Sequence, residues 1–114
     1  MVTEKTARKI ALSYPDAEEK DHFGEPSFRV RNKIFLTLYR EDKLATVKLP
    51  LDHQQMLAEN EPDIFFIGGW AHQGWTRIRL TKIDTAYFKH VVTASWKNVA
   101  PKRLVKAFED SGQK

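Results

Sequence analysis

Ser27-Phe28-Arg29-Val30-Arg31, Ile34-Phe35-Leu36-Thr37-Leu38-Tyr39-Arg40 and Leu44-Ala45-Thr46-Val47-Lys48-Leu49 decide the fold. The first run alternates apolar and polar residues, and the second is rich in β-branched and aromatic ones. Arg31-Asn32-Lys33 and Glu41-Asp42-Lys43 separate the runs and read as turns. Strands joined by connections this short pair as an antiparallel meander. Alternation places Ile34, Leu36 and Leu38 on one face, and Phe35, Thr37 and Tyr39 on the other. Apolar residues on both faces of the middle run predict a central strand covered on both sides.

Outward from the meander the pattern becomes helical. Upstream, Thr3 is placed to cap a helix running to about Ser13, with Ala7, Ile10, Ala11 and Tyr14 on its apolar stripe. Pro15 ends it. Residues 15–21 read as an acidic loop before a short strand near His22 and Phe23, and Gly24-Glu25-Pro26 reads as a turn. Downstream, Asp52 is expected to cap a helix through about Asn60. Ile64-Phe65-Phe66-Ile67 is a strand or a buried extended run, residues 68–74 form a glycine-rich loop, and Trp75 to Leu80 alternate as a strand. Asp84 caps a long helix through about Asn98, with Ala86, Phe88, Val91, Val92, Ser95 and Trp96 on its inner side. Pro101 opens a last helix to about Asp110 that buries Leu104, Val105 and Phe108. The expectation is a single domain over residues 1–114: α+β, with an antiparallel sheet made of the meander plus later strands, packed by N-terminal and C-terminal helices.

Composition narrows the chemistry. The chain has 114 residues, a formal net charge of +4 and no cysteine. Disulfides, thiolate catalysis and cysteine-ligated metals are therefore excluded. No apolar run approaches a membrane span, and Met1-Val2-Thr3-Glu4-Lys5 lacks a signal peptide's apolar segment, so the expected location is cytoplasmic. Charge falls in blocks: net −2 over residues 1–26, +4 over 27–50, −4 over 51–66 and +6 over 67–114. Such blocks predict a surface with distinct faces, and a basic excess permits contact with nucleic acid.

Catalytic motifs are scarce. His22, His53, His72 and His90 show no metal-ligand spacing, so no metal is expected. There is no Gly-x-Ser-x-Gly elbow. Gly68-Gly69 and Gly74 lead into a strand without a Gly-Lys-Ser/Thr sequence, so they read as positions of unusual backbone angle or close packing near Trp70 and Trp75. The constellation with promise is basic. Trp75, Arg77 and Arg79 project from one face of one strand, and Thr76, Ile78 and Leu80 from the other. Arg29, Arg31 and Lys33 repeat the spacing beside a turn, and Lys48 joins them if the strands are neighbours. Guanidinium groups beside an aromatic can pair with phosphates and stack on bases.

In order, these elements resemble the MmcQ/YjbR family of small bacterial proteins. The resemblance runs from about Thr6 to Phe108. It rests on Ala11-Leu12-Ser13-Tyr14-Pro15-Asp16-Ala17-Glu18-Glu19, on His22-Phe23-Gly24-Glu25-Pro26-Ser27-Phe28-Arg29-Val30 and on Lys33-Ile34-Phe35. It continues through Val47-Lys48-Leu49-Pro50 and Gly74-Trp75 to Ser95-Trp96. Phe66-Ile67-Gly68-Gly69-Trp70 stands where the family often carries a proline and a tyrosine. The resemblance implies an α+β fold of YjbR-like double-wing type and a DNA-binding role, with no catalytic motif and no cofactor. Its matching basic and aromatic positions are Arg29, Lys48 and Trp75.

Two functions follow as expectations. The first is a non-enzymatic DNA-binding domain that contacts duplex phosphates through Arg29, Arg31, Lys33, Lys48, Arg77 and Arg79, with Trp75 as a stacking group. The second is a small anionic-ligand or protein-binding module whose sheet face is lined by Phe28, Trp70, Trp75 and basic residues. An enzyme is a third reading, and it requires a buried titratable group in a pocket.

Overall fold

The structure, a computed structural model, describes residues 1–112. Among these, six strands form one antiparallel sheet in the order β1-β2-β3-β4-β6-β5. They are β1 (Ala17–His22), β2 (Glu25–Val30), β3 (Lys33–Tyr39), β4 (Leu44–Lys48), β5 (Phe65–Ile67) and β6 (Trp75–Arg79). The helices are α1 (Glu4–Leu12), α2 (Leu51–Asn60), α3 (Thr85–Val99) and α4 (Lys102–Asp110). The α+β class and the antiparallel sheet are as the sequence predicts. No described helix is long and apolar enough to cross a membrane.

The short strand expected near His22 and Phe23 starts earlier, at Ala17, ends at His22 and joins the meander. Residues 17–22 pair along their whole length with β2, from Ala17 opposite Val30 to His22 opposite Glu25. The supposed acidic loop is therefore an edge strand, whose charged side chains discourage pairing with another chain. The hairpins turn at Phe23-Gly24 and at Arg31-Asn32. All four residues have positive φ, the backbone that two-residue hairpin turns demand. Glu25 and Pro26 thus belong to β2 rather than to a turn.

Thr3 and Asp84 cap α1 and α3 as predicted, their side chains accepting from the N–H groups of Thr6 and Tyr87. Asp52 does not cap α2. Pro50 holds that position, and Asp52 lies in the first turn, where its charge still suits the helix N-terminus. Pro101 likewise sits at the cap of α4, one place before the helix. On α3, Ala86 is exposed, not buried.

The helices gather on one side of the sheet. Tyr14, just after α1, stacks on Trp96 of α3 at 5.7 Å and meets Phe108 of α4 and Phe35 of β3, each at 5.9 Å. Its hydroxyl shares a 2.6 Å hydrogen bond with Thr93. Phe28, Val30, Leu36, Val47, Ile78 and Phe88 complete this core and are fully buried.

The two-faced alternation expected for β3 breaks at one place. Phe28 lies opposite Leu36 but Arg29 opposite Ile34, so Phe35 is an extra residue in β3. This β-bulge sends both Phe35 and Leu36 into the helix-side core and moves Ile34 to the opposite face with Thr37 and Tyr39. At the same place the β3–β4 ladder opens. Leu36 faces Val47, and the next rung would join Phe35 to Lys48. Instead the Ser95 hydroxyl of α3 stands between them. It donates to the Phe35 carbonyl at 2.6 Å and accepts from the Lys48 N–H at 2.8 Å. Asn98 Nδ2, one turn on, donates to the Lys48 carbonyl at 3.0 Å.

Replacing Ser95 with alanine leaves two buried backbone groups without partners. Ser95→Ala is expected to cost on the order of 2–3 kcal/mol, and reversible thermal unfolding should show a midpoint lowered by roughly 10 °C. A midpoint within a degree or two of wild type would show that the bridge adds nothing.

Tyr87 joins α3 to Glu61 at the end of α2, its hydroxyl donating to the carboxylate. Burial, then the Glu61 hydrogen bond and charge, push its pKa up to about 12. The neutral phenol is thus favoured in the folded state. Its contribution is full below the unfolded value, near 10, and is lost as pH rises from there to about 12. Tyr87→Phe should flatten the stability profile in that window, as read by urea denaturation at stepped pH.

Candidate nucleic-acid and anion interface

Cross-strand pairing reveals the composition of the sheet's other face. One row crosses all six strands: Lys20, Ser27, Thr37, Thr46, Arg77 and Phe66, each opposite the next. A flanking row places Lys48 opposite Trp75, and a third places Leu44 opposite Arg79. The centre of this face is a floor of small hydroxyl residues. Ser27, Thr37 and Thr46 are all buried although no helix covers them.

Larger side chains and one connection cover them instead. Ile34, Tyr39, Trp75 and Arg77 rise beside the floor, His22 comes from the edge strand, and Gly69-Trp70 comes from the segment between β5 and β6. Together they enclose a cavity of about 240 Å³. The prediction that β3 is covered on both sides holds on the helix side, while on this side the cover is a rim around an open cavity.

The sequence-predicted residues divide here. Arg29, Lys48, Trp75, Arg77 and Arg79 share the open face. Arg31 does not, because it forms the hairpin turn at φ 51° and pairs with Asp16 at 2.8 Å. Lys33 lies opposite the core residue Val30, across the strand from that face, and its side chain is exposed. Phe28 is fully buried against the helices, since its register partner is the core residue Leu36. It cannot line this face, and the aromatic lining comes from Tyr39, Trp70 and Trp75.

The cations on the face are not equally available. Arg79 lies over the Phe66 ring at 4.2 Å and donates to the Pro62 carbonyl at 3.1 Å, so it fastens β5 to β6. Lys48 Nζ stands 5.4 Å from the Trp75 ring centre. Arg29 donates to Ser27 Oγ at 3.2 Å. Arg77 is half-buried, lines the cavity, and has neither a hydrogen bond nor an ion pair among the described residues. Beside it, the Thr46 hydroxyl is buried without any hydrogen-bond partner. A guanidinium and a hydroxyl left unsatisfied at neighbouring positions favour an anionic acceptor.

Glycines shape this corner. A Cβ on Gly68 would stand 2.5 Å from Arg77 Nε, so only glycine lets the backbone lie against the guanidinium. Gly74 has φ 93°, and a Cβ there would collide with the Leu49 carbonyl. The Gly74 carbonyl in turn accepts from the Leu49 N–H at 2.9 Å and from Thr76 Oγ1 at 3.1 Å. Between the two glycines Trp70 adopts φ 66°, a left-handed backbone rarely taken by bulky residues, and the residue is 68% exposed.

Sequence reading missed Ser27, Thr37, Thr46, Ile34, Tyr39 and His22. The available signal was weak: hydroxyl residues in the middle of otherwise apolar strands. Their assembly depends on β4 pairing with β6, which is distant in sequence.

The chain matches the YjbR family model over residues 12–98. The match covers most of the chain, and the protein belongs to the YjbR family. A similar solved structure is that of Deinococcus radiodurans protein DR2400, which carries the family domain DUF419. It superposes with a TM-score of 0.79 at 16% sequence identity, covering 100% of this chain and 91% of that one. At that identity the likeness speaks for the fold. None of the curated proteins compared with the chain matches it.

The two glycines should respond differently to alanine. Gly74→Ala meets rigid backbone and a disfavoured φ, so thermal unfolding should show a loss of roughly 2 kcal/mol or more. Gly68→Ala meets the end of a flexible side chain. Its stability should stay within about 1 kcal/mol of wild type, while the Arg77 side-chain NMR signal shifts as the guanidinium is displaced.

Proposed function

We propose that this YjbR-family domain is a binding module that receives an anionic group on the open face of its sheet, with Arg77 as the principal contact. The observation that carries this is the unpaired Arg77 guanidinium beside the orphaned Thr46 hydroxyl in one cavity. Arg77 provides charge and paired donors, and the buried Thr46 hydroxyl beside it has no partner within the protein. Lys48 at the rim adds positive potential without competing for the same hydrogen bonds.

Duplex DNA is the second reading. It is favoured by Lys20, Arg29, Lys48 and Arg77 standing on one face next to the exposed Trp70. Phosphate contacts from such a face give affinity that is indifferent to sequence and steep in salt. The two readings differ in which cations matter. A pocketed anion depends chiefly on Arg77, whereas a DNA backbone lying across the sheet draws on Arg29 and Lys48 as well.

Calorimetric titration with carboxylate and phosphate anions, beside fluorescence anisotropy with a mixed-sequence duplex, separates them. Removing one charge-assisted contact weakens binding by roughly tenfold or more. Arg77→Ala should therefore abolish measurable anion binding while Arg29→Ala leaves it within about twofold. Comparable losses from Arg29→Ala, Lys48→Ala and Arg77→Ala on a duplex, with a log–log salt slope of several units, would favour DNA instead. If neither anions nor duplex bind at low salt, the assignment of this face falls.

A further inference from the structure

We infer that the group received in this cavity is a planar aromatic ring bearing a carboxylate. The inference rests on the anion-binding reading above and adds the ligand's chemical class. Three features of the cavity carry it.

The first is the form of the polar end. Arg77 is the single Lys or Arg side chain of the lining, and the other polar groups there, from His22, Thr37, Tyr39, Thr46, Trp70 and Trp75, are hydroxyls and ring N–H groups that suit one singly charged acceptor. A carboxylate matches a guanidinium fork and carries one charge. A phosphate presents more oxygens and up to two charges, and sites for it commonly add several backbone N–H groups from a helix N-terminus or a glycine-rich nest. Here the nearby helical segment is a single turn over Ala71–Gln73, and its carbonyl and N–H groups at Trp70, Ala71, Gln73 and Gly74 bond one another.

The second is the apolar remainder. Trp70, Trp75, Tyr39 and Ile34 supply flat or branched hydrocarbon around the polar corner. A cavity of about 240 Å³ is far larger than a bare carboxylate requires. An occupant that leaves that volume empty forfeits most of the available contact. A ring attached to the carboxylate fills it and meets aromatic faces.

The third is Trp70 itself. The residue combines a left-handed backbone with a largely exposed indole at the mouth of the cavity. Holding a bulky side chain in that conformation is unfavourable, and exposing an indole adds nothing to the folded chain. Its aromatic neighbour is His72, with ring centres 6.0 Å apart. A planar ligand ring seated against Trp70 gives both features a purpose, with Arg77 holding the carboxylate.

NMR titration of the wild-type chain tests this, observing the Trp70 and Trp75 indole N–H and the Arg77 Nε–H signals. The probes are benzoate, cyclohexanecarboxylate, acetate and inorganic phosphate. Benzoate should shift all three signals saturably and bind at least fivefold more tightly than cyclohexanecarboxylate, with acetate and phosphate weaker still. Trp70→Gly removes the indole and suits the left-handed backbone. It should bring benzoate affinity down to that of cyclohexanecarboxylate while the Arg77 response persists. Equal affinities for benzoate and cyclohexanecarboxylate, both lost in Arg77→Ala, would overturn the aromatic class and leave the anion-binding reading standing. Tighter binding of phosphate than of any carboxylate would overturn the carboxylate assignment. No response of Arg77 to any of the four anions would sink both readings together.

Discussion

The Ser95 hydroxyl, inserted into the last rung between β3 and β4, is the contact on which the architecture turns. A sheet packed by helices on one side must decide which residues face them. In β3 that decision changes midway, because the bulge at Phe35 sends two consecutive side chains to the same face. A bulge leaves backbone groups without ladder partners, and buried ones are costly. Ser95 supplies the missing partners to Phe35 and Lys48 from α3 and so ties the helix to the irregularity. The neighbouring Trp96 then stacks on Tyr14. Two adjacent residues of α3 thus fix both the sheet's phase and the position of the helices over it.

The open face follows from that phase. With Phe35 and Leu36 both turned to the core, Ile34 joins Thr37 and Tyr39 on the other side. Small hydroxyl residues then line the centre of that face, and large side chains stand around them. The cavity is a consequence of this size pattern and not of a cleft between domains. Gly74 anchors the segment that brings Gly69 and Trp70 to the cavity, because only a residue without a Cβ can lie this close to the Leu49 backbone. Arg77 is left without a protein partner because its cross-strand neighbours are Thr46 and Phe66, neither of which carries a charge.

Much of this was legible in the residues, and the exceptions have physical causes. The helices were visible from caps and periodicity, and the strands of the meander from alternation. Trp75, Arg77 and Arg79 were placed on one face because a strand's period of two is strict where no bulge intervenes. Of β1 only the end at His22 was legible, and its acidic residues 17–21 read as loop because edge strands in water need no apolar alternation. Ile34 and Phe35 were assigned to the wrong faces because a bulge inverts alternation without any glycine or proline to announce it. Arg31 was separated from Arg29 because it sits in the turn with a left-handed backbone, and Lys33 entered β3 because that turn takes two residues rather than three. The family resemblance had the right fold, but it carried no information about Thr46, whose importance depends on strands far apart in the sequence.

The basic excess of the chain is a poor guide to its binding chemistry. Of the six cations expected to contact phosphate, Arg31 is matched by Asp16, Arg79 is spent on Phe66 and backbone carbonyls, and Lys33 lies off the face. Net charge sets long-range attraction and says nothing about which donors remain unsatisfied. Specific recognition comes from those donors, since a group already bonded must break that bond to gain another. On this face Arg77 is the one Lys or Arg side chain that lines the cavity, it stands beside the unsatisfied Thr46 hydroxyl, and the adjacent space is walled by indole and phenol rings. A long polyanion would meet one deep contact and a scattered rim. A compact anion with an apolar body would meet nearly everything the cavity offers, and that asymmetry is why the pocket, rather than the charge count, governs the functional reading.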